Sequence, residues 1–202
     1  MIYPTLMLVT DRRLMKPTFA AALESALRGG AGLVQLREKD LTGRELLSLA
    51  RQAKAICDDF GASLLINMRA DIARTCGARG VHLPQHEISP RDLRKCLPRG
   101  AWCSVSVHDE ASARQAEAEG ADYIVFGTVF ETTSHMSTHV AGLEGLQRLQ
   151  EAVGIPVYAI GGINARNAQD CREVAWGIAV RSAIWEANDV QKAVRALLDC
   201  AT

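Results

Sequence analysis

Eight short apolar runs, each followed by a segment of helical character, predict a closed (β/α)8 TIM barrel for this chain of 202 residues. Three observations lead there. The runs are continuously apolar instead of alternating, as parallel strands covered on both faces are. The strand–helix units recur every twenty to thirty residues or so, the repeat of a barrel wall. Polar residues gather just after the runs, at the strand ends where barrels of this kind carry their active sites. An open doubly wound sheet is the alternative, but eight regular units close more naturally. Barrels typically take about 250 residues, so this one is compact. A single domain over residues 1–202 is expected.

In order, Thr5–Thr10 is a first buried strand, closed by Asp11, Arg12 and Arg13. Phe19–Leu27 is helical and stops at Gly29 and Gly30. Gly32–Leu36 is a second strand. Thr42 and Glu45 have capping-box spacing and open a helix from Arg44 to Phe60. Leu64–Asn67 is a third strand, Ala70–Cys76 a short helix and Gly80–Leu83 a fourth strand. Ser89 suits a cap with Pro90 at the first helical position, for a helix reaching Leu97. Trp102–Val105 is a fifth strand, Asp109–Glu119 a helix, Tyr123–Phe126 a sixth strand and Glu144–Val153 a helix. Val157–Ile160 is the seventh strand, with Asn164 as the expected N-cap of a helix over Ala165–Glu173. Gly177–Val180 is the eighth strand and Val190–Leu198 the last helix. The longest stretch without a clear element is Glu131–Gly142.

Composition narrows the function. Formal net charge is zero, which gives no support to nucleic-acid or membrane-surface binding. No apolar run reaches the eighteen or so residues of a spanning helix. The start of the chain lacks a basic segment ahead of an apolar stretch, so no signal peptide is expected. The six cysteines are scattered with no C-x-x-C pair. Buried free thiols in a reducing cytoplasm fit them better than zinc or a disulfide framework.

The residues that follow the strands are Thr10 and Asp11; Gln35, Arg37 and Lys39; Asn67 and Arg69; His82 and Gln85; Ser106 and His108; Gly127 and Thr128; Gly161 and Gly162; Arg181 and Ser182. Gly161 and Gly162 allow a sharp turn and close approach to a ligand. With Arg181 and Ser182 at the next strand end, they form either a phosphate cup or a plain strand–turn–helix corner. Alternate residues of an extended segment share a side, so Gln35, Arg37 and Lys39 can converge on a phosphate or pyrophosphate. Otherwise the segment is an ordinary alternating-charge turn. Among the histidines, His108 is either the natural proton carrier, since an imidazole ordinarily titrates near pH 6.5 or so, or, as a lone histidine at a strand end more often is, a hydrogen-bonded structural residue. His82 reads as a hydrogen-bonded structural residue. His135 and His139 have i, i+4 spacing in a segment that is not helical, which disfavours zinc.

Together Val34–Lys39, Ile66–Asn67, Gly80–Leu83, Ala121–Gly127 and Ile160–Ile163 resemble the thiamine phosphate synthase/TenI superfamily, in the right order over essentially the whole chain. The resemblance implies a single-domain (β/α)8 barrel and one of two activities. The synthase branch joins a hydroxymethylpyrimidine diphosphate to a thiazole phosphate, releasing pyrophosphate with Mg²⁺. The TenI branch aromatises a carboxythiazole phosphate without a metal. For the synthase, Gln35, Arg37, Lys39 and Asn67 match the residues that hold pyrophosphate and pyrimidine. The Asn-Asp pair that supplies a Mg²⁺ ligand is here Asn67-Met68, and a thioether does not replace a carboxylate at magnesium. The second acidic ligand corresponds best to Glu87. The threonine- and lysine-rich loop is here Thr132–His139, with no Lys or Arg.

The TenI branch looks closer in the middle of the chain, at Val81–Pro84, Ser89-Pro90, Ser106–His108 and Val125–Thr132. It makes His108 the acid/base and places the thiazole phosphate on Gly161, Gly162, Arg181 and Ser182, with Ser106 also expected to bind substrate. The expected function is therefore a thiazole tautomerase without cofactor. The alternatives are a Mg²⁺-dependent synthase and a non-catalytic phosphate-binding barrel. A thiazole phosphate is the expected partner and a homo-oligomer an option.

Overall fold

The computed structural model describes residues 3–132 and 140–199. Eight parallel strands close in sequence order into a barrel: β1 Leu6–Val9, β2 Leu33–Leu36, β3 Ser63–Asn67, β4 Gly80–Leu83, β5 Trp102–Val107, β6 Tyr123–Phe126, β7 Val157–Ile160 and β8 Gly177–Val180. The ring shuts where Leu6, Met7 and Leu8 pair with Ile178, Ala179 and Val180. The helices are α1 Phe19–Arg28, α2 Gly43–Asp59, α3 Ala70–Cys76, α4 Pro90–Leu93, α5 Glu110–Ala118, α6 Gly142–Ala152, α7 Ala168–Val174, α8 Ser182–Trp185 and α9 Val190–Asp199. No described helix is long and apolar enough to cross a membrane.

Strand alternation divides the core in two. One set of side chains, such as Leu8, Val34, Leu64 and Val81, packs outward against the helices. The other fills the barrel: Met7, Leu33, Leu65, Trp102, Tyr123, Tyr158 and Ala179. The aromatics concentrate towards one end. Tyr3 meets Trp102 at 4.8 Å and Tyr123 at 5.1 Å, and Tyr123 meets Tyr158 at 5.0 Å between ring centroids. Arg79, in the turn before β4, lies 4.7 Å over the Trp102 ring. Rings stacked this way plug the N-terminal mouth. Open space is left at the C-terminal mouth, where the polar strand ends are.

The capping box of α2 forms as expected. The Thr42 hydroxyl accepts from the Glu45 N–H, and the Glu45 carboxylate accepts from the Thr42 N–H. Two expected elements are corrected. The fourth helix ends at Leu93, not Leu97. The N–H groups of Lys95 and Cys96 turn back onto the carbonyls of Asp92 and Leu93, and Pro98 disfavours helical backbone at Leu97. Arg94 meanwhile reaches across to the carbonyls of Ala101 and Gly120 and to Asp122. The seventh helix begins at Ala168, so Asn164 is not its cap. The Asn164 and Asn167 amides both donate to the Gly162 carbonyl, and Asn167 Oδ1 accepts from the Asn164 N–H. These bonds hold residues 164–167 as a turn braced against the end of β7. The short α8 was not expected from the sequence. It follows β8 directly, and Trp185 within it donates its indole N–H to the Val9 carbonyl at 2.7 Å.

Candidate active site

The C-terminal mouth holds a cavity of about 640 Å³. Each of the ten residues singled out by sequence lines it: Gln35, Arg37, Lys39, Asn67, Ser106, His108, Gly161, Gly162, Arg181 and Ser182. They come from five strand ends, so barrel closure itself brings them together.

The end of β2 sorts its charges by alternation. Gln35 is buried, and its amide donates to Asn67 Oδ1 at 3.0 Å. Arg37 and Lys39 face the cavity. Glu38 points the other way, into a pocket of donors: Thr10 Oγ1 at 2.6 Å, the Arg12 N–H at 3.0 Å and the Arg12 guanidinium at 3.1 Å. Arg12 also forks onto Asp40. The hydrogen bonds of the two carboxylates thus go to Thr10 and Arg12 and not to the cations in the cavity. Burial, and then the neighbouring positive charge of Arg181, push the pKa of Arg37 down, with Asp11 and Glu38 opposing. Two guanidiniums that destabilise each other across a cavity favour an anion between them.

Gly161 (φ 104°) and Gly162 (φ 65°) adopt backbone open to few other residues. The structure sharpens why both are glycine. A Cβ on Gly161 would come within 2.6 Å of the Thr128 methyl, and one on Gly162 within 2.5 Å of the Glu131 carbonyl. The β6 and β7 loops are also zipped together, with Phe130 N–H on the Gly161 carbonyl and Val129 N–H on the Ile160 carbonyl. The pair therefore serves loop-on-loop packing as well as the cavity wall. Arg181 and Ser182 complete the wall at the start of α8.

His108 follows β5, exposed at the cavity rim. Its Nδ1 donates to the Gly127 carbonyl, and an N–H committed there leaves Nε2 as the lone-pair nitrogen of the neutral ring. Asp109, next in the chain, caps α5 by accepting from the Ser112 N–H at 2.7 Å. His82 also lines the cavity and is hydrogen-bonded through both ring nitrogens, as a structural histidine would be. His135 and His139 lie outside the described residues.

Glu186 escaped the sequence reading: it lines the cavity and follows the short helix whose existence had no periodic trace. Among the described residues of the lining, Glu186 carries the one carboxylate.

Mg²⁺, which the synthase activity implies, needs hard oxygen ligands, and the residues do not fit it. Met68, at φ 63°, is 38% exposed and is not part of the lining. Glu87 is not in that lining; it lines an adjoining depression of about 160 Å³ that shares Pro84 and Gln85 with the cavity. Among the described residues no cluster of three His, Cys, Asp or Glu could hold a metal. Residues 133–139 bring no carboxylate in sequence.

Residues 6–184 match the family model described as thiamine monophosphate synthase. A putative thiamine-phosphate synthase 2 of Aquifex aeolicus is 42% identical over 177 residues, 87% of this chain and 95% of that protein. A thiamine-phosphate synthase of Clostridium tetani is 39% identical over 195 residues, 96% of this chain and 93% of that one. The solved thiamine phosphate pyrophosphorylase of Pyrococcus furiosus superposes with a TM-score of 0.89 at 36% identity, covering 97% of this chain and 94% of that one. These names are the synthase's. They favour the alternative expectation from the sequence over the tautomerase.

Proposed function

Given that the chain belongs to the thiamine monophosphate synthase family, we propose that it acts on a thiazole phosphate in the strand-end cavity and catalyses the tautomerisation that aromatises a carboxythiazole phosphate. The single observation that carries this reading is an imidazole, His108, at the rim of a cation-lined cavity whose residues do not suit Mg²⁺.

The substrate carries two anionic groups, and the cavity offers cations to both. The phosphate sits against Gly161, Gly162, Arg181 and Ser182, the corner after the seventh and eighth strands that barrels commonly use for phosphate. The carboxylate faces Gln35, Arg37 and Lys39. Each anion relieves the mutual repulsion of Arg37 and Arg181, so binding energy is concentrated where the unliganded protein is least comfortable. With Nδ1–H held by the Gly127 carbonyl, Nε2 of His108 takes the proton from one carbon of the ring system. The resulting imidazolium returns it to another carbon, and the π-system shifts into the aromatic ring. Atoms and charge balance with no co-reactant. One positioned acid/base commonly contributes about 10²–10⁴-fold to such a transfer.

A second reading is the coupling of hydroxymethylpyrimidine diphosphate with thiazole phosphate. The relatives' names favour it, as does the convergence of Gln35, Arg37 and Lys39, which suits a diphosphate. One pair of assays separates the two. The wild type should aromatise the carboxythiazole phosphate, and His108→Ala should lose at least about a hundredfold in kcat with its fold intact. Supplied with both coupling substrates and Mg²⁺, the wild type should form no appreciable thiamine phosphate. Brisk coupling would transfer the assignment to the second reading.

A further inference from the structure

The tautomerase chemistry leaves one buried titratable group at the cavity unused. His82 on β4 is inside the barrel, with 3% of its surface exposed. On the next strand Ser104 and Ser106 are two residues apart and share a side, and register sets His82 opposite Ser104. The imidazole spans both: Nδ1 is 2.9 Å from Ser104 Oγ and Nε2 is 2.8 Å from Ser106 Oγ. Ser104 is wholly buried, whereas Ser106 lines the cavity. Ser106 is also two residues before His108, on the same side of the chain. The row therefore runs from the barrel interior to the hydroxyl beside the candidate acid/base.

We infer that His82 is a positioning residue: it locks the Ser106 hydroxyl in one hydrogen-bonding role beside His108, so that Ser106 meets the substrate ring with a fixed donor or acceptor. The inference rests on the tautomerase reading for its kinetic arm only. The reason is stoichiometric. A neutral imidazole has one N–H and one lone pair. Clamped between two hydroxyls, it must donate to one serine and accept from the other. Each serine's role towards His82 is then set by the tautomer: a Ser106 that donates to Nε2 is left acceptor-only towards the cavity, and one that accepts from Nε2–H keeps its O–H free to donate there. Burial, reinforced by the positive charge of Arg37, holds the His82 pKa down at about 3, so the ring stays neutral through the working range and the lock does not titrate. The far end is anchored in the core. Tyr123 lies opposite Ser104 in register, with its hydroxyl buried. A preset hydroxyl next to the proton-transfer group needs no reorganisation when charge develops on the ring.

Two measurements test this. The ¹⁵N spectrum of imidazole-labelled protein should show His82 as one neutral tautomer from pH 9 to about 5, and Ser106→Ala should release that tautomer preference. Averaged tautomers, or a ring that titrates within that range, would overturn the proposal, and neither result depends on turnover. In the kinetic arm, His82→Leu should lower kcat about tenfold, the scale of one lost hydrogen bond, with KM moving less than about twofold. His82→Gln, whose amide can both donate and accept, should recover most of the loss. On a Ser106→Ala background His82→Leu should add nothing further. Wild-type kcat in His82→Leu, or losses that multiply in the double variant, would contradict the inference. Should His82→Leu fail to fold, Ser104→Ala cuts the same row on its far side and should give the same pattern in smaller degree. A wild type inactive on the carboxythiazole phosphate would overturn the function and leave the tautomer measurement to decide the role of His82.

Discussion

Arg37 is half-buried at the end of β2, and no described residue accepts a hydrogen bond from its guanidinium. That is a costly arrangement unless an anion completes it. Arg37→Ala should therefore raise the KM for a phosphorylated, carboxylated substrate by roughly ten- to a hundredfold, the span of a charge-assisted hydrogen bond. It should leave kcat less affected, as Michaelis analysis will show. Lys39→Ala should do less, because the Lys39 side chain is exposed and solvent screens it. At this scale the sequence was informative where alternation rules. Period two sent Arg37 and Lys39 one way and Glu38 the other, and the segment can be read directly. It was uninformative about partners distant in the chain. Nothing local to Glu38 indicates that Thr10 and Arg12 receive it, so the neutralisation of one set of charges and not the other became visible only in three dimensions. His82 was read correctly as hydrogen-bonded, but a three-residue Val-His-Leu run could not disclose that its two partners flank it on the neighbouring strand.

At the level of elements, the loops after β6 and β7 act together. The β6 and β7 loops share backbone hydrogen bonds, and Gly162 tucks under Phe130 and the Glu131 carbonyl. Gly162→Ala would place a Cβ into that contact at φ 65°. It should cost about 1–3 kcal/mol in stability, read by urea unfolding, and should weaken phosphate binding as the cup opens. The strands were legible because each is a continuous apolar run bounded by glycine or polar residues. Helix limits were less so. Side-chain amides of Asn164 and Asn167 captured the Gly162 carbonyl and delayed α7, and Pro98 with the long reach of Arg94 shortened α4. The four residues of α8 are too few to show a period, yet they carry Ser182 and lead into Glu186 at the cavity.

The whole molecule is polarised along the barrel axis. Rings of Tyr3, Trp102, Tyr123 and Tyr158 close one mouth, and cations with hydrogen-bonding side chains ring the other. This asymmetry was half visible in sequence. Polar residues after strands marked the working end, but the aromatic plug draws on residues far apart in the chain. Relatives named as synthases share the fold and most of the length. Three local features bear on the metal: Met68 is not part of the cavity lining, Glu87 lines an adjoining depression, and Glu186 is the one described carboxylate of the lining. A barrel of this type can keep its phosphate corner while its chemistry changes. The central claim is therefore that this cavity moves a proton without a metal. The most direct test is the initial rate of carboxythiazole phosphate aromatisation measured in excess chelator and again in millimolar Mg²⁺. Equal rates within about twofold are expected, since a general acid/base needs no Lewis acid. A rate abolished by the chelator and restored by Mg²⁺ would contradict it.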